Sequence, residues 1–223
     1  MLSLGKKSRL FLVLCLHRSG SSATAGVMHL LGIHMGTKLL TATPFNPKGH
    51  FENMDFVAIN QEILQTAKAS WNNPPVNKNI EASNSTISKI RNFLAENVKP
   101  IWGLKDPRTL LTFEVWKPLL EEVADITYVF IHRPFEASVR SMANRDRKGI
   151  VYASQILTPY LKNLYHYRHT YGIPSENIID VYFEDMLTNP KPLVKKFNEK
   201  IGNSAGYNLK EVEKFLEKDF KKF

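Results

Sequence analysis

The sequence predicts an α/β fold of three layers, with a mainly parallel central sheet flanked by helices. Short runs rich in apolar, β-branched and aromatic residues alternate with longer segments whose apolar residues recur every three or four positions. Three of the apolar runs are followed by a polar turn and then a helical pattern, the order of a βαβ unit. The chain has 223 residues, 43% of them hydrophobic, so we expect one domain over residues 1–223.

The first predicted strand spans residues 10–16, seven consecutive apolar residues that end at a polar turn containing Gly20. The run imitates a signal peptide, but His17 and Arg18 break it at once, and it is too short to span a bilayer. We therefore interpret it as a buried strand and the protein as cytoplasmic. Cys15 is expected to be a small core residue, and a single cysteine excludes an intramolecular disulfide.

The remaining elements continue the alternation. Further strands are predicted over 100–105, 126–131 and 177–183, and 33–40 is a short strand or an irregular edge. Helices are predicted over 25–31, 51–67, 85–98, 110–123, 135–144, 151–171, 193–201 and 209–220. Pro118 is expected to interrupt one helix and Pro159 to kink or split another, because proline lacks an amide hydrogen. Residues 43–50 and 69–83 are predicted loops, the second a possible lid or acceptor loop.

A phosphate-binding loop is predicted between the first strand and the first helix. Free amides at a helix N-terminus and the positive end of the helix dipole both favour an anion. The loop adds the cation of Arg18 and the hydroxyls of Ser19, Ser21 and Ser22. No Gly-Lys-Ser/Thr closes it, so it is not a Walker A motif. The predicted fold is therefore P-loop-like, without the signature of a nucleoside triphosphatase.

Cations follow two more predicted strands. Residues 105–108 read Lys-Asp-Pro-Arg, and residues 132–134 read His-Arg-Pro. Because ligands gather at the carboxyl ends of parallel strands, three cationic strand ends predict a site for a ligand with more than one phosphate-like group. Asp106 and Arg108 are expected to pair with each other. The formal net charge of +9 fits an anionic ligand, although a solvated basic surface explains it equally well.

At these positions the chain resembles the sulfotransferases that use 3′-phosphoadenosine 5′-phosphosulfate (PAPS). Residues 17–23, His-Arg-Ser-Gly-Ser-Ser-Ala, are similar to the 5′-phosphosulfate loop Pro-Lys-Ser-Gly-Thr-Thr-Trp. Arg133 and Ser141, with Ser138 as a near alternative, match the 3′-phosphate signature. Residues 182–186, followed by Asn-Pro, are similar to the Tyr-Glu-Asp-Met segment. Residues 46–52 and 102–108 look like those of bacterial members.

The resemblance implies sulfuryl transfer from PAPS to a hydroxyl of a carbohydrate or small molecule, with no metal. The residues implied to bind PAPS are Arg18, Ser19, Gly20, Ser21, Ser22, Ala23, Arg133 and Ser141. Arg18 and Lys105 are candidates for charge stabilisation. Glu52 is the first candidate for general base, because carbohydrate sulfotransferases carry a glutamate there. His50 is the alternative, since histidine is the base in cytosolic members.

Three departures from the family pattern stand out. Ala23 replaces the tryptophan that stacks on adenine in cytosolic members, so adenine must be held otherwise. Phe183 replaces a tyrosine expected to contact the nucleotide. The C-terminal Arg-Lys-Gly loop that holds the 3′-phosphate has no clear match.

Two other functions use the same residues. A P-loop phosphotransferase or kinase-like enzyme needs a Walker lysine and a magnesium-binding acidic strand end, and neither is evident. A non-catalytic module for anionic glycans needs only the basic surface. Among the expected partners we count PAPS and the acceptor, but no nucleic acid and no membrane span. The seven histidines and one cysteine show no metal-ligand spacing.

Overall fold

The computed structural model describes residues 7–43, 46, 48–75 and 80–217. Its centre is a four-stranded sheet in the order β2-β1-β3-β4, in which every neighbouring pair is parallel. The strands are β1 (Ser8–Leu14), β2 (Ile101–Lys105), β3 (Ala124–His132) and β4 (Ile178–Tyr182). Since all the strands run the same way, their carboxyl ends share one edge of the sheet, and this confirms the predicted parallel arrangement.

Helices surround this sheet. They are α1 (Ser21–Leu30), α2 (Met54–Thr66), α3 (Asn84–Asn97), α4 (Thr109–Val123), α5 (Phe135–Asp146), α6 (Ile150–Tyr165), α7 (Phe183–Thr188), α8 (Lys191–Ile201) and α9 (Leu209–Glu217). A π-helical turn, His166–Thr170, continues α6, and a short 3₁₀ turn, Ser175–Asn177, precedes β4.

Alternate residues of β1 enter two separate cores, one on each face of the sheet. Leu10, Leu12 and Leu14 pack into the core formed with α2, α3, α4 and α6. Phe11 and Val13 pack into the core formed with α1, α8 and α9. Each leucine is fully buried, which contributes about 1.5–3 kcal/mol per side chain. A strand buried on both faces must be apolar throughout, and the three-layer prediction is therefore confirmed.

Cys15 continues the apolar run beyond β1 and lies in the second core. Its side chain is fully buried, as expected for a small core residue. Burial raises the pKa of its thiol to about 12, so the sulfur stays protonated and unreactive at neutral pH.

Several predicted boundaries were wrong. The helix expected from residue 51 begins at Met54, because the Asn53 side chain accepts hydrogen bonds from the amides of the first turn and caps it. Neither proline breaks its helix: Pro118 lies inside α4 and Pro159 inside α6, in segments whose buried side chains hold the helix together. Residues 33–40 form an irregular edge with two isolated bridges, His34 to Trp102 and Leu39 to Asn53.

Parts of three predictions lie outside the described residues. They concern residues 44, 45 and 47 of the first predicted loop, residues 76–79 of the second, and the end of the last helix beyond residue 217.

Candidate active site at the carboxyl edge of the sheet

The loop that follows β1 leads directly into the N-terminus of α1. Arg18 (φ 65°) and Gly20 (φ 87°) both adopt left-handed backbone conformations, and the Ser19 hydroxyl donates to the Leu16 carbonyl. The N-cap residue Gly20 has no side chain to cap the helix, and the first turn carries no acidic residue. The amides of the first turn of α1 therefore have no side-chain cap and lie at the positive end of the helix dipole. This arrangement suits an anion.

Arg18 and two residues from the β3–α5 segment meet across this loop. Arg18 Nε donates to Ser141 Oγ at 3.0 Å, and Arg133 Nη1 donates to the Arg18 carbonyl at 2.8 Å. Burial, followed by the charges of Arg145 and Arg133, lowers the pKa of Arg18. The side chain remains protonated, and the nearby charges of Arg145 and Arg133 make this loop a cationic site that favours an anionic ligand. Ser138, the alternative to Ser141, is fully buried and lies 3.5 Å from the same carbonyl.

The guanidinium of Arg133 packs against the ring of Phe183. The guanidinium lies 4.9 Å from the centre of the Phe183 ring, and its Nε is 3.5 Å from a Glu184 carboxylate oxygen. That Nε is buried and makes no hydrogen bond, so its contact with Glu184 is an ion pair only. Phe183 itself is 6% exposed. It therefore packs beneath the loop and the arginine, instead of facing a nucleotide as the family's tyrosine is expected to do.

Gly20 allows this packing, and Gly20→Ala is expected to destabilise the protein by about 2–4 kcal/mol. A Cβ atom at this position lies 2.0 Å from Cδ2 of Phe183, and the positive φ adds backbone strain. Gly172→Ala is the matched control, because Gly172 has φ 84° and open space around it, and should cost only about 1–2 kcal/mol. Denaturant unfolding measures both, and equal costs would contradict the assigned contact.

A second cluster joins the end of β2 to the segment before α2. Lys105 Nζ donates to Glu52 Oε1 at 2.6 Å, to the His50 carbonyl at 2.9 Å and to the Ser22 hydroxyl at 3.3 Å. The Asn46 side chain also donates to Ser22. Glu52 and Lys105 are 8% and 2% exposed, so a buried ion pair adjoins the first turn of α1. Such a pair adds little net stability, but removing one partner is costly.

The end of β2 is held rigidly by Asp106. Its carboxylate accepts from Arg108 Nη1 at 2.8 Å and from the Asn60 side chain at 2.9 Å, which confirms the expected pairing with Arg108. Trp116 and Thr112 donate in turn to Asn60. Burial raises the pKa of Asp106, and the neighbouring charge of Arg108 opposes that rise. Asp106 thus anchors the strand end and is not free to act on a ligand.

His50 lies beside Glu52 with its ring turned away from the ion pair. His50 Nε2 is 3.3 Å from the Thr43 hydroxyl, while its carbonyl accepts from Lys105. Burial lowers the pKa of His50, although the charge of Glu52 opposes this. The ring is therefore neutral at pH 7 and has a nitrogen that can accept a proton.

A third cluster of side chains consists of His17, Trp71 and Tyr160. No function was predicted for this cluster from the sequence. His17 contacts the rings of Trp71 and Tyr160 at 5.3 and 5.1 Å, and the Tyr160 hydroxyl donates to the Trp71 carbonyl. Burial lowers the pKa of His17 well below its usual range, and the charge of Arg108 lowers it further. A neutral His17 thus ties the described start of the predicted acceptor loop to the phosphate-binding loop. The only advance signal was the position of His17 beside Arg18.

The side chains of Ser21 and Ala23, like that of Ser19, are buried. Ala23 is 1% exposed within the core, and the Ser21 hydroxyl faces the Cys15 sulfur. Both residues lie in the first turn of α1, where the backbone amides can bind an anion. Ser22, in contrast, connects the loop to Lys105.

A cavity of about 320 Å³ lies beside Arg133. Its walls include Ser19, His132, Tyr165 and Tyr182. His132 stacks on Tyr182 at 4.9 Å and contacts Asp180 at 2.7 Å. Arg168, on the π-helical turn, donates to both oxygens of the same carboxylate. The aromatic wall of this cavity is therefore held in place by an ion-paired network.

Neither a metal-binding cluster nor a helix able to cross a membrane is found in residues 7–43, 46, 48–75 and 80–217. No three His, Cys, Asp or Glu side chains gather there in a way that could hold a metal ion. No helix there has both the length and the hydropathy needed to cross a membrane.

Solved structures with a similar fold include three sulfotransferases, each 14% identical in sequence. One is from Mycobacterium tuberculosis H37Rv (TM-score 0.53; 94% of this chain and 71% of that chain covered). Another is the sulfotransferase domain from the curacin biosynthetic pathway (TM-score 0.50; 93% and 78%). The third is the sulfotransferase domain of the Synechococcus PCC 7002 olefin synthase (TM-score 0.49; 89% and 75%). No family model and no curated protein matches the chain.

The parallel sheet has helices packed on both faces, and a glycine-containing loop follows β1. This arrangement defines a three-layer α/β protein. Within that class, the chain has the sulfotransferase fold.

Proposed function

We propose that this protein transfers a sulfuryl group from PAPS to a hydroxyl of a carbohydrate or small-molecule acceptor and releases adenosine 3′,5′-bisphosphate. The contact of Arg18 with both Ser141 and Arg133 carries the proposal, because it brings the two predicted phosphate sites of one nucleotide together. The sulfotransferase fold supports it.

The described residues fit such a donor. The amides at the start of α1 and the Arg18 guanidinium would hold the 5′-phosphosulfate, and Arg133 with Ser141 the 3′-phosphate. The hydrogen bond from Arg133 to the Arg18 carbonyl, which places its guanidinium beside this loop, supports the assignment. The cavity beside Arg133, with aromatic walls at Tyr165 and Tyr182, has room for part of the adenosine in place of the absent tryptophan stack.

At the PAPS side of the reaction, the main requirement is stabilisation of the negative charge that develops during sulfuryl transfer. Proton transfer to the leaving phosphate is less important. When bound, PAPS supplies the sulfuryl group, and negative charge grows on the leaving phosphate, by analogy with phosphoryl transfer. The planar, forked guanidinium of Arg18 can donate hydrogen bonds to two oxygens at once, but it does not act as a general acid, because it stays protonated. Lys105 is the second cation, and it reaches the first turn of α1 through Ser22.

The acceptor hydroxyl needs a base, and Glu52 is our first assignment. Its carboxylate pairs with Lys105 at 2.6 Å, and Ser22 links that pair to the donor loop. His50, neutral at pH 7 and two residues before Glu52, is the alternative. We further propose that the protein works in the cytoplasm, consistent with a buried, free Cys15.

Arg133→Ala is expected to weaken adenosine 3′,5′-bisphosphate binding by about 10- to 100-fold, measured by isothermal titration calorimetry. The reason is loss of a charge-assisted contact to the 3′-phosphate. Arg91→Ala is the control, since Arg91 pairs with Glu122 on the exposed face of α3 and should leave affinity unchanged. Undetectable binding by the wild-type protein, or full affinity in Arg133→Ala, would contradict the proposal. Magnesium-dependent ATP turnover would favour a phosphotransferase instead.

A further inference from the structure

An exposed patch of basic and apolar side chains lies where α5 ends and α6 begins. Val151 and Ile150 are 70% and 51% exposed, and Arg147 and Lys148 are exposed in the same turn. We call these four residues, together with Tyr152, the basic–apolar patch. Neighbouring exposed aliphatic and cationic side chains are typical of surfaces with a partner that is both apolar and anionic.

The patch is cationic. Asp146, the acidic residue beside it in the chain, is bound on both oxygens by Arg145, so its charge is already engaged. The first turn of α6 carries no acidic residue. Lys148 Nζ lies 4.3 Å from the centre of the Tyr152 ring, where it is still exposed to a ligand.

The patch is continuous with the predicted acceptor loop. The Asn72 side chain donates to the Tyr152 hydroxyl at 3.5 Å, and Arg145 lies over the Trp71 ring at 5.5 Å. Aromatic side chains with a polar end, such as Trp71 and Tyr152, suit the boundary between water and lipid.

We propose that the basic–apolar patch docks the protein on the surface of an anionic lipid bilayer. Ile150 and Val151 enter the boundary between headgroups and acyl chains, and Arg147 and Lys148 bind lipid phosphates. A purely ionic partner, such as a nucleic acid or a sulfated glycan, uses the cations but leaves the two aliphatic side chains in water. A bilayer uses both, which is why the observations favour it. This inference goes beyond the proposed function and does not depend on it.

Co-sedimentation with vesicles tests the docking. The wild-type protein is expected to bind vesicles of phosphatidylcholine with about one third phosphatidylglycerol, and not phosphatidylcholine alone. Ile150→Asp/Val151→Asp and Arg147→Glu/Lys148→Glu should each weaken binding by at least about tenfold. Tyr207→Asp, at a side chain 48% exposed, and Lys191→Glu/Lys210→Glu are the matched controls and should bind as the wild type does. Circular dichroism and thermal unfolding verify that each variant is folded.

Three results would overturn the inference. The first is no binding of the wild-type protein to anionic vesicles at low salt. The second is full binding by Ile150→Asp/Val151→Asp, which indicates a polyanion surface without apolar insertion. The third is equal weakening in the Lys191/Lys210 control, which indicates a response to net charge alone. Adenosine 3′,5′-bisphosphate titration is independent of all three, so failure here is distinct from failure of the proposed function.

Discussion

Glu52→Gln is expected to slow sulfuryl transfer by about 10²- to 10⁴-fold, the usual effect of removing a general base. Glutamine keeps the shape of the side chain, and its carbonyl oxygen can still accept from Lys105 Nζ, which lies 2.6 Å from Glu52 Oε1. The variant should therefore fold, although with lower stability because the buried ion pair is lost. It should bind adenosine 3′,5′-bisphosphate within about threefold of the wild type, a difference below 1 kcal/mol. A single-turnover assay with labelled PAPS and a hydroxylated acceptor measures the step directly.

Two further variants separate the base from its neighbours. His50→Gln is expected to slow the step by less than about tenfold if Glu52 is the base. Asp55→Asn is the matched control, because that carboxylate pairs with Lys38 on the exposed side of α2. An active Glu52→Gln beside an inactive His50→Gln would transfer the assignment to the histidine.

Arg18→Ala is expected to lower kcat/KM by about 10²- to 10³-fold, the cost of removing one donor that stabilises charge in the transition state. Alanine inherits the same left-handed backbone at φ 65°, so the variant loses the guanidinium without a new source of strain. Arg18→Lys keeps the charge but not the fork, and should recover activity to within about tenfold of the wild type. Steady-state kinetics with PAPS varied provide the comparison.

A comparison of these variants distinguishes the effect of the positive charge of Arg18 from the effect of its guanidinium geometry. Arg140→Ala removes an exposed arginine from α5, which also carries Ser141, and should leave kcat/KM unchanged. Less than about a fivefold loss in Arg18→Ala, well under the range expected for such a donor, would remove Arg18 from the transition-state contacts. Equal losses in Arg18→Ala and Arg18→Lys would indicate that the fork, and its bond to Ser141, matters more than the charge.

The features predicted correctly from the sequence are those that depend on near neighbours in the chain. The apolar run over residues 10–16, which contains most of β1 (Ser8–Leu14), the polar turn and the helix after it are local patterns, and so is the expected burial of Cys15. The helix start at Met54 was missed because the Asn53 cap outweighed the apolar spacing that begins at Phe51. The expected interruption at Pro118 and the expected split at Pro159 were also wrong, because α4 and α6 continue through these residues.

The sequence by itself determined the class of fold, the parallel sheet and the three cationic strand ends, because hydrophobic period and turn chemistry are set by adjacent residues. Only the tertiary structure decided which of those ends meet. Arg18 bonds to Ser141, 123 positions away, and Lys105 pairs with Glu52, 53 positions away. Such pairs follow from strand order and from the need to satisfy buried charges, and no local pattern encodes either. The stacking of Phe183 beneath Gly20 and Arg133, like the His17–Trp71–Tyr160 cluster, has the same origin.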